Sequence, residues 1–108
     1  PGQLQQVLLN LVLNAVQAMP TGGKVRLALE ATEEAGAPVV VIRVADTGSG
    51  IPPQILPHIF ESFFTGREDG TGLGLAIVKR ILRAHRGDVA VESTGSTGTI
   101  FRLWIPRA

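Results

Sequence analysis

Residues 24–31 alternate, with Val25, Leu27, Leu29 and Ala31 on one side and Lys24, Arg26 and Glu30 on the other. That period of two predicts a strand buried on one face. A nearly continuous apolar run, residues 39–45, follows the polar turn 32–38, which contains Gly36. The connection is too short for a crossover, so the two strands are expected to form an antiparallel hairpin, with the second strand central. Two more strands are predicted, 89–93 and 99–105, on either side of the turn Thr94-Gly95-Ser96-Thr97-Gly98.

Helical spacing takes over elsewhere. Leu4, Val7, Leu8, Leu11, Val12, Ala15 and Met19 recur at the period of a helix that Pro20-Thr21-Gly22-Gly23 ends. Its opposite stripe, Gln3, Gln6, Asn10, Asn14 and Gln17, is uncharged and rich in amides. Asparagine is a poor helix former, and Asn10 and Asn14, four apart, project from one face. The stripe is either a polar surface or a face that meets a ligand. Residues 53–60 predict a short helix with Ile55, Ile59 and Phe60 as apolar points, and 73–85 a second long helix buried through Ala76, Ile77, Ile81 and Ala84.

At 108 residues the chain is one domain, 1–108, and its 44% hydrophobic and 18% charged residues are those of a globular protein. A net charge of +1 gives no support to nucleic-acid binding. The absence of cysteine removes disulfides, thiol catalysis and cysteine-based metal sites. No apolar run approaches the roughly 18 residues of a membrane span, no signal peptide opens the chain, and the start at Pro1 reads as an excised domain.

Three features ask for a function. Gly70, Gly72 and Gly74 alternate immediately before the second long helix, where bare backbone and unpaired helix N–H groups suit a phosphate, although a simple turn has the same composition. Asp46 ends the buried strand and needs a hydrogen-bond partner, which an Asx-turn or a ligand would supply. Phe60, Phe63 and Phe64 cluster within five residues, as in a hydrophobic plug. Three other glycine-loop readings fail. A P-loop lacks its lysine after Gly66-to-Thr71, and a protein-kinase glycine loop lacks its strand lysine and His-Arg-Asp segment. A dinucleotide fold has Glu92 at a fitting distance, but its motif must directly follow a buried strand, and this one follows residues 65–69.

Taken together, Asn10-to-Ala15, Asp46-to-Pro52, Ile59-to-Thr65, Gly70-to-Leu75 and Gly98-to-Phe101 stand in the order and spacing of one family. The chain resembles the ATP-binding catalytic domain of bacterial sensor histidine kinases, within the superfamily of DNA gyrase, Hsp90 and MutL (the Bergerat fold). The resemblance implies an α+β fold: a two-layer α/β sandwich whose mixed, mostly antiparallel sheet is covered on one face by three helices. ATP and Mg²⁺ are the implied cofactors.

Residue by residue, the resemblance makes Asn14 the Mg²⁺ ligand, with Asn10 supporting the metal or touching phosphate. Asp46 would accept a hydrogen bond from the adenine amino group, Gly48, Gly50 and Ile51 would pass close to the purine, and Thr99 would place a hydroxyl near it. Gly70, Thr71, Gly72, Leu73, Gly74 and Leu75 would receive the phosphates beneath a lid that Phe60 packs and Thr65 joins. Gyrase-like ATPases carry a glutamate four residues before the metal asparagine. Asn10 stands there, so the resemblance favours transfer to a protein side chain over hydrolysis.

Some positions depart from the family pattern. Gln17 stands where many members have a lysine near the phosphates, and Arg67, in place of another lysine, is expected to reach the terminal phosphate. Arg86 replaces a frequent glycine, at a cost of about 1 kcal/mol if its backbone is left-handed. The phosphoacceptor is implied to be a histidine on a separate dimerisation domain of the parent protein, with a response regulator downstream. His58 precedes Ile59 and His85 precedes Arg86, neither in an acceptor context, so no catalytic residue of that kind is expected in this chain. The strand that the family usually places before the Asn helix has no counterpart in these 108 residues, an expectation that bears on stability and on the sheet edge. The implied setting is cytoplasmic, with no direct membrane contact by this domain. A regulatory nucleotide-binding module or pseudokinase of the same fold is the alternative.

Overall fold

A computed structural model describes residues 2–19, 21–61 and 74–106. In chain order these form α1 (Gly2–Gln17), β1 (Val25–Glu34), β2 (Ala37–Asp46), a 3₁₀ turn (Leu56–His58), α2 (Gly74–Ala84), β3 (Asp88–Gly95) and β4 (Gly98–Pro106). The four strands make one sheet in the order β1-β2-β4-β3, and every described pairing is antiparallel. The expected hairpin is β1–β2. Its strands run further than alternation indicated, because the turn is only Ala35-Gly36, with φ of 51° and 81°. Positive φ at both central residues gives the turn whose twist matches the two strands.

Both long helices lie on the face that carries Val44, Val89, Phe101 and Leu103. Val7 and Leu11 of α1 and Val78 and Leu82 of α2 complete that core. Cross-strand register stacks the layer: Val44 and Val91 both oppose Phe101, while Ile42 and Val89 oppose Leu103. Each fully buried Leu, Val or Phe contributes roughly 1.5–3 kcal/mol, so this layer is the main source of stability. The other face carries no helix among the described residues. Arg43 bridges Glu92 and Glu30 at 2.8 and 3.2 Å, and Arg102 pairs with Glu34 while lying 5.0 Å above the Trp104 ring. Glu92 first, then Glu30, holds the Arg43 guanidinium above its ordinary range. Val39 and Val41 lie buried on this side, Val41 opposite Trp104.

Four expectations change. Helix α2 buries Val78 and Leu82, where the spacing had pointed to Ala76, Ile77, Ile81 and Ala84, the last of which is exposed. The alternating face of β1 is not half-buried: Leu27 and Leu29 are 54% and 73% exposed. β1 is an edge strand and the core is centred on β2, β4 and β3, so Val25 at its start packs against that core while Leu27 and Leu29 stay uncovered. Leu9, Leu13 and Val16 of α1 are about half exposed as well, so α1 is apolar over more of its circumference than its buried stripe of Val7, Leu11 and Ala15. The short helix predicted over 53–60 is only the 3₁₀ turn Leu56–His58, where Pro52, Pro53 and Pro57 remove backbone donors.

Candidate nucleotide site

Asp46 is the last residue of β2 and is 6% exposed. Its Oδ1 accepts the Gly48 N–H at 2.9 Å and the Thr99 N–H at 3.3 Å. The first bond is the Asx-turn that strand-end aspartates commonly make. The second comes from β4, whose Thr99 lies directly opposite Asp46 in the register and is 3% exposed. Both bonds end on Oδ1. Among the described residues no donor reaches Oδ2 and no buried polar side-chain atom lacks a partner, so Oδ2 is the open edge of the carboxylate.

Two glycines make this closure possible. Gly50 has φ of +87°, and a Cβ there would overlap the Gly95 carbonyl oxygen; Gly98 has φ of +141°, and a Cβ there would overlap the Asp46 carbonyl oxygen. The 47–51 loop and the β3–β4 hairpin therefore meet backbone to backbone around Asp46. The space beside Gly48 is likewise taken by the Ala18 carbonyl oxygen. Glycine in this loop serves contacts within the protein. Ile51 is half-buried against the core and donates its N–H to Thr94 Oγ1 at 2.8 Å.

The amide stripe of α1 runs toward the start of α2. Asn10 Nδ2 donates to the Gly74 carbonyl at 3.3 Å, and Gln6 Nε2 donates to Asn10 Oδ1 at 2.9 Å. Asn10 is thus engaged at both ends of its amide, tying α1 to the first residue of α2. Asn14, one turn on, is half-buried, and Gln17 is exposed at the end of α1. Leu75 packs against the core. Phe60 meets Phe101 edge to face at 6.3 Å and lies under Lys79 Nζ at 5.0 Å. Lys79 also pairs with Asp88 at 3.1 Å. Burial pushes the Asp88 carboxyl up, but the Val89 N–H, Lys79 and Arg83 outweigh it and hold the group below its ordinary range. Thr65, Arg67, Gly70, Thr71, Gly72 and Leu73 lie outside the described residues, as do Phe63 and Phe64.

The structure brings Asp46, Gly48, Gly50, Ile51 and Thr99 together, and separately joins Asn10 to Gly74. Thr94 and Lys79 were missed. Lys79 reads from sequence as an ordinary exposed position on an amphipathic helix. Thr94 sits in what reads as a turn, and only a break in the β3 register turns it toward Thr99. His58 Nδ1 lies 2.9 Å from Glu61 Oε2, and His85 Nδ1 is bonded to the Ile81 carbonyl at 2.9 Å.

The sequence profile of the histidine kinase-, DNA gyrase B- and HSP90-like ATPases matches residues 1–108. The chain belongs to that family. Within it the similarity is to sensor histidine kinases, and the chain is an ATP-binding catalytic domain of their type. Sensor histidine kinase ZraS of Salmonella typhimurium is 45% identical over 106 residues, 98% of this chain and 22% of that protein. The catalytic domain of histidine kinase ThkA, in a nucleotide-free form, superposes with a TM-score of 0.82 at 35% identity, over 97% of this chain and 66% of that one. Full-length ShkA in complex with AMPPNP gives 0.77 at 41% identity, over 97% of this chain and 21% of that one. The chain spans about a fifth of the length of the sensor kinases it matches. These similarities bear out the α+β fold that the motifs implied.

Proposed function

We propose that this histidine-kinase-type domain binds Mg-ATP and donates its γ-phosphoryl group to a histidine on a separate dimerisation domain of the parent protein. The observation that carries the reading is the buried Asp46 carboxylate, held by Gly48 and Thr99 through Oδ1 with Oδ2 open. A buried acceptor fixed by two backbone donors can take an amino group without reorganising. Asp46 thus accepts from the adenine amino group, and the Thr99 hydroxyl faces the ring beside it. Asn10 in place of a glutamate leaves no carboxylate there to activate water, which favours transfer over hydrolysis.

Asn14 is assigned the magnesium. Among the described residues no three His, Asp or Glu side chains gather as a metal site. A single neutral amide oxygen fits an ion that keeps waters and takes its other ligands from phosphates. The ion, when bound, neutralises phosphate charge. Gln17, Gly74, Leu75 and, beyond the described residues, Thr65, Arg67 and Gly70 to Leu73 complete the assigned phosphate side, with Phe60 seating the segment that follows it. The downstream partner in this reading is a response regulator and the setting cytoplasmic; among the described residues no helix is long and apolar enough to cross a membrane.

Calorimetry of ATP and ADP, with and without Mg²⁺, on the wild type and on Asp46→Asn tests the binding half. Binding that falls at least thirtyfold in the variant supports it, and binding indifferent to Asp46 refutes it. Labelled ATP with the histidine-bearing domain supplied in trans tests transfer. Label that is base-stable and acid-labile marks phosphohistidine, while binding without label identifies a nucleotide-binding regulatory module.

A further inference from the structure

The β3 strand carries a register shift between Val91 and Ser93. Val91 opposes Phe101, so an unbroken ladder would set Ser93 against Thr99 and turn Thr94 to the face away from the helices. The shift instead pairs Ser93 with Ile100 and Thr94 with Thr99. One extra residue re-aims a side chain, which is how bulges act beside functional sites. The result is a hydroxyl pair: Thr94 Oγ1 lies 2.8 Å from Thr99 Oγ1.

Two directions are open to that bond, and the count of donors favours one of them. A threonine hydroxyl has one proton and two lone pairs. The Ile51 N–H, 2.8 Å away, occupies one lone pair of Thr94 Oγ1. Among the described residues the acceptor within reach of the Thr94 proton is Thr99 Oγ1. When Thr94 donates to Thr99, the Thr99 proton is left for a further acceptor, on the residue that lies opposite Asp46 in the register. The site then offers an acceptor and a donor side by side. That pattern matches an adenine edge, with its 6-amino donor and N1 acceptor. It opposes hypoxanthine or guanine, whose 6-oxo group accepts and whose N1–H donates.

We propose that Thr94 is a positioning residue that sets base selectivity: by donating to Thr99 it fixes the proton that reads the purine ring. This rests on the adenine assignment of Asp46 and Thr99 made above. Thr94 itself touches no nucleotide, so its effect belongs to the base and not to the phosphates.

The test is calorimetry with ATP, ITP and inorganic tripolyphosphate on wild type, Thr94→Val, Thr94→Ala and Thr94→Ser, with circular dichroism to confirm folding. The wild type should prefer ATP to ITP. Losing the hydroxyl should weaken ATP binding about tenfold and shrink the ATP-to-ITP ratio by the same factor, with tripolyphosphate binding within twofold. Thr94→Ser should restore the ratio to within about threefold. Thr94→Ala decides the matter if the valine variant does not fold. An unchanged ratio, an equal loss for all three ligands, or a wild type without preference would overturn the proposal. If Asp46→Asn abolishes ATP binding while the Thr94 variants keep the wild-type ratio, this inference alone fails. If Asp46→Asn has no effect, the adenine assignment fails first and this inference with it.

Discussion

Replacing Arg86 with glycine should stabilise this domain. Helix α2 ends at Ala84, and Arg86 follows with φ of 67°, the left-handed conformation. The Arg86 N–H donates to the Arg83 carbonyl at 3.0 Å and the Gly87 N–H to the Leu82 carbonyl at 2.8 Å. These are the two bonds of a Schellman cap, and the motif prefers glycine at the position Arg86 holds. A side chain in that conformation costs about 1–2 kcal/mol. Glycine returns part of this through the greater freedom it gives the unfolded chain, about 0.5–1 kcal/mol. The net expectation is about 1 kcal/mol, or roughly 4–6 °C in Tm for a domain of this size. Arg86→Ala is the control: it removes the same charge from the helix end but keeps the strained φ, and should stay within about 0.5 kcal/mol of wild type. Thermal and urea unfolding of the three proteins measure both differences. An Arg86→Gly protein no more stable than Arg86→Ala would refute the argument, because relief of the left-handed backbone is the gain expected of glycine and not of alanine.

Ala35 has the same problem in the β1–β2 turn, with φ of 51° beside Gly36. Ala35→Asn creates the pair that such turns favour and should add about 0.5–1 kcal/mol in urea unfolding. Gly98→Ala should do the reverse, costing at least about 2 kcal/mol, because its Cβ would overlap the Asp46 carbonyl. Gly36→Ala meets nothing within 4 Å and should cost only about 1 kcal/mol despite its positive φ, so denaturation midpoints of the two should differ clearly. Asp88 has its folded pKa below the ordinary 3.8, so its contribution is present above that pH and is lost as pH falls through the folded value. Asp88→Asn should therefore lower stability at pH 7 by about 0.5–1 kcal/mol, and the gap should close as the pH falls through the folded value in acid unfolding.

The α1 and α2 helices, the four strands and the first hairpin are legible from periodicity, although α2 turns Val78 and Leu82 into the core and not the face that apolar spacing indicated. Asp46 was legible too, since a carboxylate closing an apolar run needs a partner. The exposure of Leu27 and Leu29 was not: alternation marks a face as apolar without recording whether a second layer reaches it. Burial is a property of what packs against a strand, and β1 is at the edge. The 3₁₀ turn at Leu56–His58 had its cause visible in three prolines, but apolar spacing alone suggested a longer helix.

The candidate site divides in the same way. Sequence alone determined the residue types and their order: the amide face of Asn10 and Asn14, the Asp46 loop, the glycines before α2 and Thr99. Those are local chemical facts, and motifs preserve them. Tertiary structure decided what each group touches. It placed Thr99 opposite Asp46 across two strands 53 positions apart in the chain, and spent both amide ends of Asn10 on Gln6 and Gly74. It also turned Thr94 inward through a bulge that adds one residue to a ladder. A register shift changes every contact beyond it while leaving composition and periodicity almost untouched, and that is why only the folded chain discloses it.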